Sequence, residues 1–156
     1  MPVNINSEIG RLRSVLVHEP GPELLAVTPD TREDYLYDDI IDVDTAQTEH
    51  RRLVAVLERF ATVHYVRDLL AETVASVEAR HLIIREAMDI LQSAPIAKDL
   101  NDLPPEDVVR VLVEGREETP GPLARTLNET GYALPPVPNL FFTRDTAMGL
   151  GKHVMI

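Results

Sequence analysis

The chain has 156 residues, 44% of them apolar and 26% charged, which is the composition of an ordinary soluble globular protein. No apolar run approaches membrane-spanning length and the N-terminus lacks a signal-peptide pattern, so we expect a cytoplasmic protein. A net charge of −11 argues against non-specific nucleic-acid binding and favours a cationic partner. Because the chain has no cysteine, disulfides, thiolate metal sites and cysteine nucleophiles are excluded within these residues.

The first part of the chain has the pattern of a strand, a long loop, a helix and a second strand. Leu12–His18 contains three successive apolar residues, which predicts a strand buried on both faces. Glu23–Asp42 is predicted to be a long ordered loop, and a helix follows from Asp44, its N-cap, to about Phe60. Thr62–Val66 then predicts a second strand. The two strands should be parallel and joined by a right-handed crossover.

Residues 70–131 are predicted to form an all-helical insert, because they contain no strand-like run. The apolar series in Ala71–Gln92 is compatible with one or two helices. Pro104-Pro105-Glu106-Asp107 is typical of a helix start, since prolines are tolerated and acids are favoured in a first turn. Gly115 suits the position after the end of that helix. Leu123–Thr130 is predicted to add one or two helical turns.

Residues 132–156 are predicted to be a second sheet-forming piece of the chain. Two prolines should keep the chain extended as it enters Pro138–Asp145, which we interpret as an aromatic strand that ends in a charge pair. An aspartate behind aromatic surface can pair with a planar cation such as guanidinium, although a solvated strand end is the alternative for Asp145. A turn is expected over Thr146–Gly151. Lys152–Ile156 should start an apolar strand that continues into further chain.

Neither the histidines nor the acidic loop predicts a metal site. The five histidines show no close metal-ligand spacing, which favours structural roles. The aspartates between residues 34 and 44 lack the glycine and the terminal glutamate of an EF-hand loop. We therefore expect Asp38 and Asp39 to accept backbone N–H bonds across the loop rather than to bind calcium.

Four segments, in this order, resemble the N-terminal part of arginine deiminases, members of the guanidine-modifying superfamily. They are Ser7–His18 with Pro20-Gly21, Leu36–Ile40, the helix around Glu49-His50, and Pro138–Asp145. The Leu103–Glu106 helix start also resembles the helical insert of that family. The resemblance implies an α/β fold, namely part of a pentein-like, five-bladed α/β propeller of ββαβ modules. Its divisions would be a first module over 1–69, the insert over 70–131 and the start of a second module over 132–156.

The resemblance also implies hydrolysis of L-arginine to L-citrulline and ammonia, with no metal or organic cofactor. In that family a cysteine thiolate adds to the guanidinium carbon, ammonia leaves, and the covalent thiouronium intermediate is hydrolysed with help from a histidine. This chain has no cysteine, and the family's catalytic histidine and paired acid come from later modules. We therefore expect a fragment or a truncated relative that is inactive alone.

Four positions match substrate-site positions of the family. Asp145 matches the first guanidinium-binding aspartate, and the resemblance therefore implies that it is both the catalytic and a substrate-binding residue of this chain. Asn139 matches a polar contact and Phe142 an apolar wall of the site. Leu36 falls in the family's flexible loop over the site, which can exclude water as a lid does.

Two other functions stay open. A non-catalytic, arginine-binding or regulatory relative would keep the same half-site. An amidinotransferase or a dimethylarginine hydrolase would share the propeller, but the helical insert favours an arginine deiminase. The expected partner is L-arginine, with neither nucleic acid nor membrane. If the rest of a propeller is missing, uncovered apolar surface at Val108–Val113 and Ile156 should favour a homo-oligomer.

Overall fold

The structure, a computed structural model, describes residues 4–7, 9–91, 96–117 and 131–155. These residues contain five α-helices and six short strands, and the strands pair into one parallel and two antiparallel two-stranded sheets. This mixture confirms the predicted α/β class, whereas the five-bladed propeller and the domain divisions stay predictions. Within the described ranges, no helix is long and apolar enough to cross a membrane.

The predicted strand–loop–helix–strand unit is present. Strand β1 (Ser14–Val17) pairs in parallel with β2 (Thr62–Tyr65), and helix α1 (Val43–Leu57) lies between them in the chain. The expectation that β1 is buried on both faces is wrong, because Val17 is buried whereas Leu16 is 42% exposed. Successive side chains of a strand point to opposite faces, so only one face of this sheet is covered in the described part of the chain.

Both ends of α1 differ from the prediction. The N-cap is Asp42 rather than Asp44, because Asp42 Oδ1 accepts the N–H of Thr45 at 2.8 Å. Hydrogen bonds from Thr45 lower the pKa of the Asp42 carboxyl. The helix ends at Leu57 rather than near Phe60. There the N–H of Phe60 donates to the carbonyl of Leu57 at 2.9 Å, an i to i+3 bond that tightens the last turn.

Four helices follow β2: α2 (Val66–Val74), α3 (Val77–Leu91), α4 (Ile96–Asn101) and α5 (Pro105–Glu114). The predicted helices over Ala71–Gln92 are confirmed as α2 and α3, and α5 begins in the predicted double proline. However, α2 starts directly after β2, inside the range assigned to the first module. The sequence does not predict α4, since six residues are too few to show a helical period.

These helices share one apolar core. Its buried members are Val74, Ile84, Met88, Leu100, Val108, Val109, Val111, Val113 and Leu134. Arg80 closes the core at the helix ends, because its guanidinium donates to the carbonyls of Val74 and Leu103, both at 2.8 Å. The expectation that Val108–Val113 is uncovered is therefore wrong, since its valines pack inside this core.

The expectation of an all-helical insert is also wrong at one point. Strand β3 (Arg116–Glu117) follows α5 and pairs antiparallel with β4 (Tyr132–Leu134). Gly115 makes this turn with a φ of +79°, which favours glycine, and so confirms its predicted place after α5. A two-residue strand is too short to leave a pattern in the sequence. The helical turns predicted over Leu123–Thr130 lie outside the described residues.

We expect Gly115→Ala to destabilise the chain by about 2 kcal/mol. A Cβ at this position would lie 2.6 Å from the carbonyl oxygen of Leu134 and 2.7 Å from the nitrogen of Pro136, both of them backbone atoms. Gly131→Ala is the matched control, because Gly131 has a φ of +71° but a Cβ there meets no described atom within 4 Å. Urea unfolding should show the smaller loss, about 1 kcal/mol, in the control. Equal losses would contradict the steric argument.

Pro138–Asp145 is not a strand. Pro138–Phe141 forms a 3₁₀ helix, and a turn follows in which the N–H of Asp145 donates to the carbonyl of Phe142 at 3.0 Å. Pro138 explains the difference, since its fixed φ and missing N–H suit the first position of a helix.

A hairpin occupies the end of the described chain. Strand β5 (Met148–Leu150) pairs antiparallel with β6 (His153–Met155) where a turn was expected over Thr146–Gly151. Gly151, with a φ of +57°, permits the tight connection. The strand predicted from Lys152 is thus confirmed over His153–Met155.

Candidate functional site

The candidate site lies where Tyr35–Tyr37 meets the 3₁₀ helix Pro138–Phe141. The hydroxyl of Tyr37 donates to the carbonyl of Pro138 at 2.9 Å, and this contact is buried. The side-chain nitrogen of Asn139 donates to the carbonyl of Tyr35 at 3.0 Å. Two hydrogen bonds therefore join segments that lie about a hundred positions apart in the chain.

Three aromatic rings fill this junction. The ring centroids of Phe141 and Phe142 lie 4.0 Å apart, and each lies 6.5 Å from that of Tyr37. Tyr37 is buried in a small core with Leu24 and Val27, whereas Phe142 remains 46% exposed. Burial raises the pKa of Tyr37 to about 12, with a smaller contribution from the charge of Glu23, so the hydroxyl stays a hydrogen-bond donor at neutral pH.

Leu36 stands at the exposed tip of the loop in an unusual conformation. Its φ is +62° and its residue surface is 89% exposed. A left-handed conformation costs a residue other than glycine about 1–2 kcal/mol, so the surrounding loop must enforce it. The N–H of Tyr37 donates to the carbonyl of Arg32 at 2.8 Å, and Arg32 Nη1 donates to the carbonyl of Asp38 at 2.6 Å.

Asp145 lies in the exposed turn after Phe142. The same turn is tied to β1, because the hydroxyl of Thr143 donates to the carbonyl of Leu16 at 3.0 Å. The structure thus brings Asn139 and Phe142 into contact with the loop that carries Leu36. Asp145 follows Phe142 by three residues and lies exposed in the turn.

An ionic network beneath the loop is missing from the sequence-based prediction. His18 and Glu23 are 2% and 1% exposed, and Glu23 is linked to Arg67 and through it to Glu114. The one signal in the sequence is an acid between a Pro-Gly-Pro turn and two leucines, in a segment that forms the 3₁₀ helix Pro22–Ala26. His18 and Glu114 are too far apart in sequence for spacing to connect them.

The described residues give no support to a metal centre. No three His, Asp or Glu side chains among them converge in a way that suits a metal ion. Asp39 Oδ1 accepts the N–H of Ile40 at 2.7 Å, a bond to the next residue in the chain where a contact across the loop was expected. Asp38 contributes its backbone carbonyl, to Arg32, where a carboxylate contact was expected.

We expect Tyr37→Phe to cost about 1–2 kcal/mol of the free energy of unfolding, because the carbonyl of Pro138 would be left buried without its donor. Tyr65→Phe is the matched control, since Tyr65 lies half-buried on β2 and away from this junction. Its effect should stay within about 0.5 kcal/mol. Chemical denaturation measures both. A loss in the control as large as that in Tyr37→Phe would contradict the assigned contact.

Comparison with known proteins identifies the family. Residues 33–156 match the arginine deiminase family. The chain is 35% identical to the arginine deiminase of Rhodococcus erythropolis (strain PR4 / NBRC 100887), an alignment that covers 100% of this chain and 42% of that protein. For the arginine deiminases of Rhodococcus jostii (strain RHA1) and Treponema denticola the identities are 36% and 34%, each over 99% of this chain and 42% of the relative.

The chain therefore belongs to the arginine deiminase family. It corresponds to an N-terminal portion and spans about 42% of the length of these relatives.

Proposed function

We propose that this chain is part of an enzyme that hydrolyses L-arginine to L-citrulline and ammonia, and that it supplies one wall of the guanidinium site. The family match over residues 33–156 carries this proposal, because it includes all four positions assigned to the substrate. The geometry supports it: the loop of Leu36 and the segment with Asn139 and Phe142 are joined by hydrogen bonds and ring contacts.

Each side chain has a role that its chemistry suits. The Asp145 carboxylate accepts two N–H groups of the guanidinium, which orients the flat cation for attack on its carbon. Phe142 presents an exposed ring, on which a guanidinium plane can stack. In Asn139 the amide nitrogen faces the carbonyl of Tyr35, so the amide oxygen is the atom that can accept an N–H from the substrate.

The bond-breaking step needs a nucleophile that this chain does not contain, since it has no cysteine. We infer that a cysteine thiolate elsewhere in the enzyme forms the thiouronium intermediate and that the 156 residues alone are inactive. We also infer that the β1–α1–β2 unit and the β5–β6 hairpin belong to successive modules of a five-bladed propeller. The resemblance of the segments described above supports that architecture.

A chimera tests the proposal. In it, this chain replaces the matching N-terminal part of the Rhodococcus erythropolis arginine deiminase. Incubated with L-arginine, the chimera should form citrulline, whereas the purified 156-residue chain should form none above background. Citrulline from the chain alone would contradict its inactivity. A folded chimera that binds L-arginine without turnover would instead indicate a non-catalytic relative.

We expect Leu36→Asn to raise the free energy of unfolding by up to about 1 kcal/mol, because asparagine tolerates the left-handed conformation better than leucine. Leu53→Asn is the control, since Leu53 is 55% exposed on α1 and asparagine is the weaker helix former. It should lose about 0.5 kcal/mol. Urea denaturation measures both, and a loss in Leu36→Asn would show that the loop does not strain this residue.

A further inference from the structure

The buried carboxylate of Glu23 joins four elements. Its Oε1 lies 2.8 Å from His18 Nε2 and accepts the N–H of Gly21 at 2.8 Å, while its Oε2 accepts from Arg67 Nη2 at 3.0 Å. Arg67 Nη1 donates to Glu114 Oε1 at 2.7 Å. The network thus connects the residue after β1, the 3₁₀ helix Pro22–Ala26, the start of α2 and the end of α5.

The surroundings of Glu23 are built around its charge. Burial by itself raises the pKa of this carboxyl, but hydrogen bonds from His18 and from the backbone, with the charges of His18 and Arg67, outweigh it and lower the pKa. The backbone also approaches closely, because a Cβ on Gly21 would lie 2.6 Å from Glu23 Oε2. A buried ion pair is a costly way to gain stability compared with apolar packing. The directional contacts of Glu23 instead fix the position of the 3₁₀ helix Pro22–Ala26.

That helix carries the apolar residues on which the candidate site rests. Leu24, next to Glu23, and Val27 pack with Tyr37 in one buried cluster that Phe141 also contacts. Tyr37 then donates to the carbonyl of Pro138. Two sets of contacts therefore connect Glu23 to the segment that leads to Asp145. They are the apolar packing of Leu24 and Val27 on Tyr37 and the hydrogen bond from Tyr37 to Pro138.

We propose that Glu23 is a positioning residue for the arginine-facing segment Pro138–Asp145. It holds the 3₁₀ helix Pro22–Ala26 against α2 and α5, and this helix in turn supports Tyr37 and the residues that Tyr37 contacts. The role of this segment in binding arginine rests on the proposed function, whereas the mechanical link between Glu23 and Pro138–Asp145 does not.

Amide hydrogen exchange tests the link. The Glu23→Gln change keeps the size of the side chain but places a neutral amide against Arg67. Under conditions where both proteins are fully folded by circular dichroism, exchange at the amides of Tyr37, Phe142 and Asp145 should accelerate at least about tenfold. The reference amides are those of Arg59 and Phe60 in the turn after α1, which also exchange through local opening and should change less than about twofold. Amides in the middle of α3 exchange only when the whole chain unfolds, so they report the loss of global stability instead. Glu86→Gln is the matched control, because Glu86 pairs with Arg85 in an exposed contact at 2.8 Å.

Each outcome decides the proposal. Among amides that exchange through local opening, acceleration confined to the loop and to Pro138–Asp145 supports positioning. Equal acceleration of the Arg59 and Phe60 amides indicates a purely structural role, and unchanged exchange at the three site amides excludes the link. If Glu23→Gln does not fold, Glu114→Gln replaces it, because this substitution affects only the outer contact of the network, between Glu114 and Arg67. It should show the same pattern with a smaller amplitude.

A binding measurement separates this inference from the proposed function. Wild-type chain titrated with L-arginine should show amide chemical-shift changes at Phe142 and Asp145, and Glu23→Gln should weaken the fitted affinity at least about threefold. No shifts in the wild type would overturn the proposed function, while the exchange result would still decide the mechanical link. If the shifts give the same affinity for L-arginine in both proteins, only the positioning role is overturned.

Discussion

Asp145→Asn in the chimera with the Rhodococcus erythropolis enzyme should lower kcat/KM for L-arginine by about 10³-fold. A carboxylate binds a guanidinium through two parallel, charge-assisted hydrogen bonds, whereas an asparagine offers one acceptor and turns an N–H₂ toward the cation. Because both bonds also orient the carbon that is attacked, we expect kcat to fall as well as KM to rise. Citrulline formation over a range of arginine concentrations measures both.

Asp102→Asn is the control for this change. Asp102 is an exposed aspartate in the turn between α4 and α5, so its loss of charge alters the net charge equally without touching the proposed site. Its kcat/KM should stay within about twofold of the unmodified chimera. A similar fall in both variants would mean that net charge rather than the Asp145 position is responsible. Full activity of Asp145→Asn would remove Asp145 from the site.

The second large effect is expected on stability. Glu23→Gln should lower the free energy of unfolding of the 156-residue chain by about 3 kcal/mol at pH 7, because buried His18 and partly buried Arg67 lose the negative charge that they contact. The exposed pair of Glu86 and Arg85 gives the comparison, and Glu86→Gln should cost less than about 1 kcal/mol. Guanidinium chloride unfolding with a fixed slope measures both.

The difference in the free energy of unfolding between wild type and Glu23→Gln should decrease in acid. The folded-state pKa of Glu23 is lowered below its ordinary value of 4.5, so the folded protein binds this proton less readily than the unfolded chain. Its stabilisation is therefore complete well above pH 4.5 and is lost as the pH falls through the folded-state pKa. The difference in the free energy of unfolding between wild type and Glu23→Gln should shrink as the pH falls below 4.5. A gap that widens in acid would contradict the assigned pKa direction.

Periodic and local signals in the sequence predict much of the fold. The apolar run before His18 and the helical period after Asp42 predict the parallel β1–α1–β2 unit. The double proline and Gly115 mark the two ends of α5. These features depend on a few neighbouring residues, so a single sequence reveals them.

Two short strands, Arg116–Glu117 and Met148–Leu150, could not be predicted, because each has too few residues to show an alternating pattern and is defined only by its pairing with another strand. Arg116–Glu117 forms a strand only through contact with Tyr132–Leu134, and Met148–Leu150 only through contact with His153–Met155. The 3₁₀ helix at Pro138–Phe141 could have been expected from proline at its first position, but the adjacent aromatics favoured a strand.

The residues of the candidate site also fall into those that local sequence motifs identify and those that they do not. Asp145, Asn139, Phe142 and Leu36 were identified by resemblance, which works on local motifs. Tyr37, whose hydroxyl fastens the loop to Pro138, and Glu23, which supports the loop from below, were not. Their roles arise from contacts between residues that lie far apart in the chain.

The most direct test of the proposed arginine contact is a titration of the ¹⁵N-labelled 156-residue chain with L-arginine, followed by two-dimensional NMR. We expect saturable shifts at the amides of Phe142 and Asp145 and at the side-chain amide of Asn139, with the helix α3 unaffected. L-Citrulline, which lacks the guanidinium charge, should shift the same signals far less. Absent shifts at these three residues, or equal shifts with both ligands, would contradict the assignment of this segment to the guanidinium site.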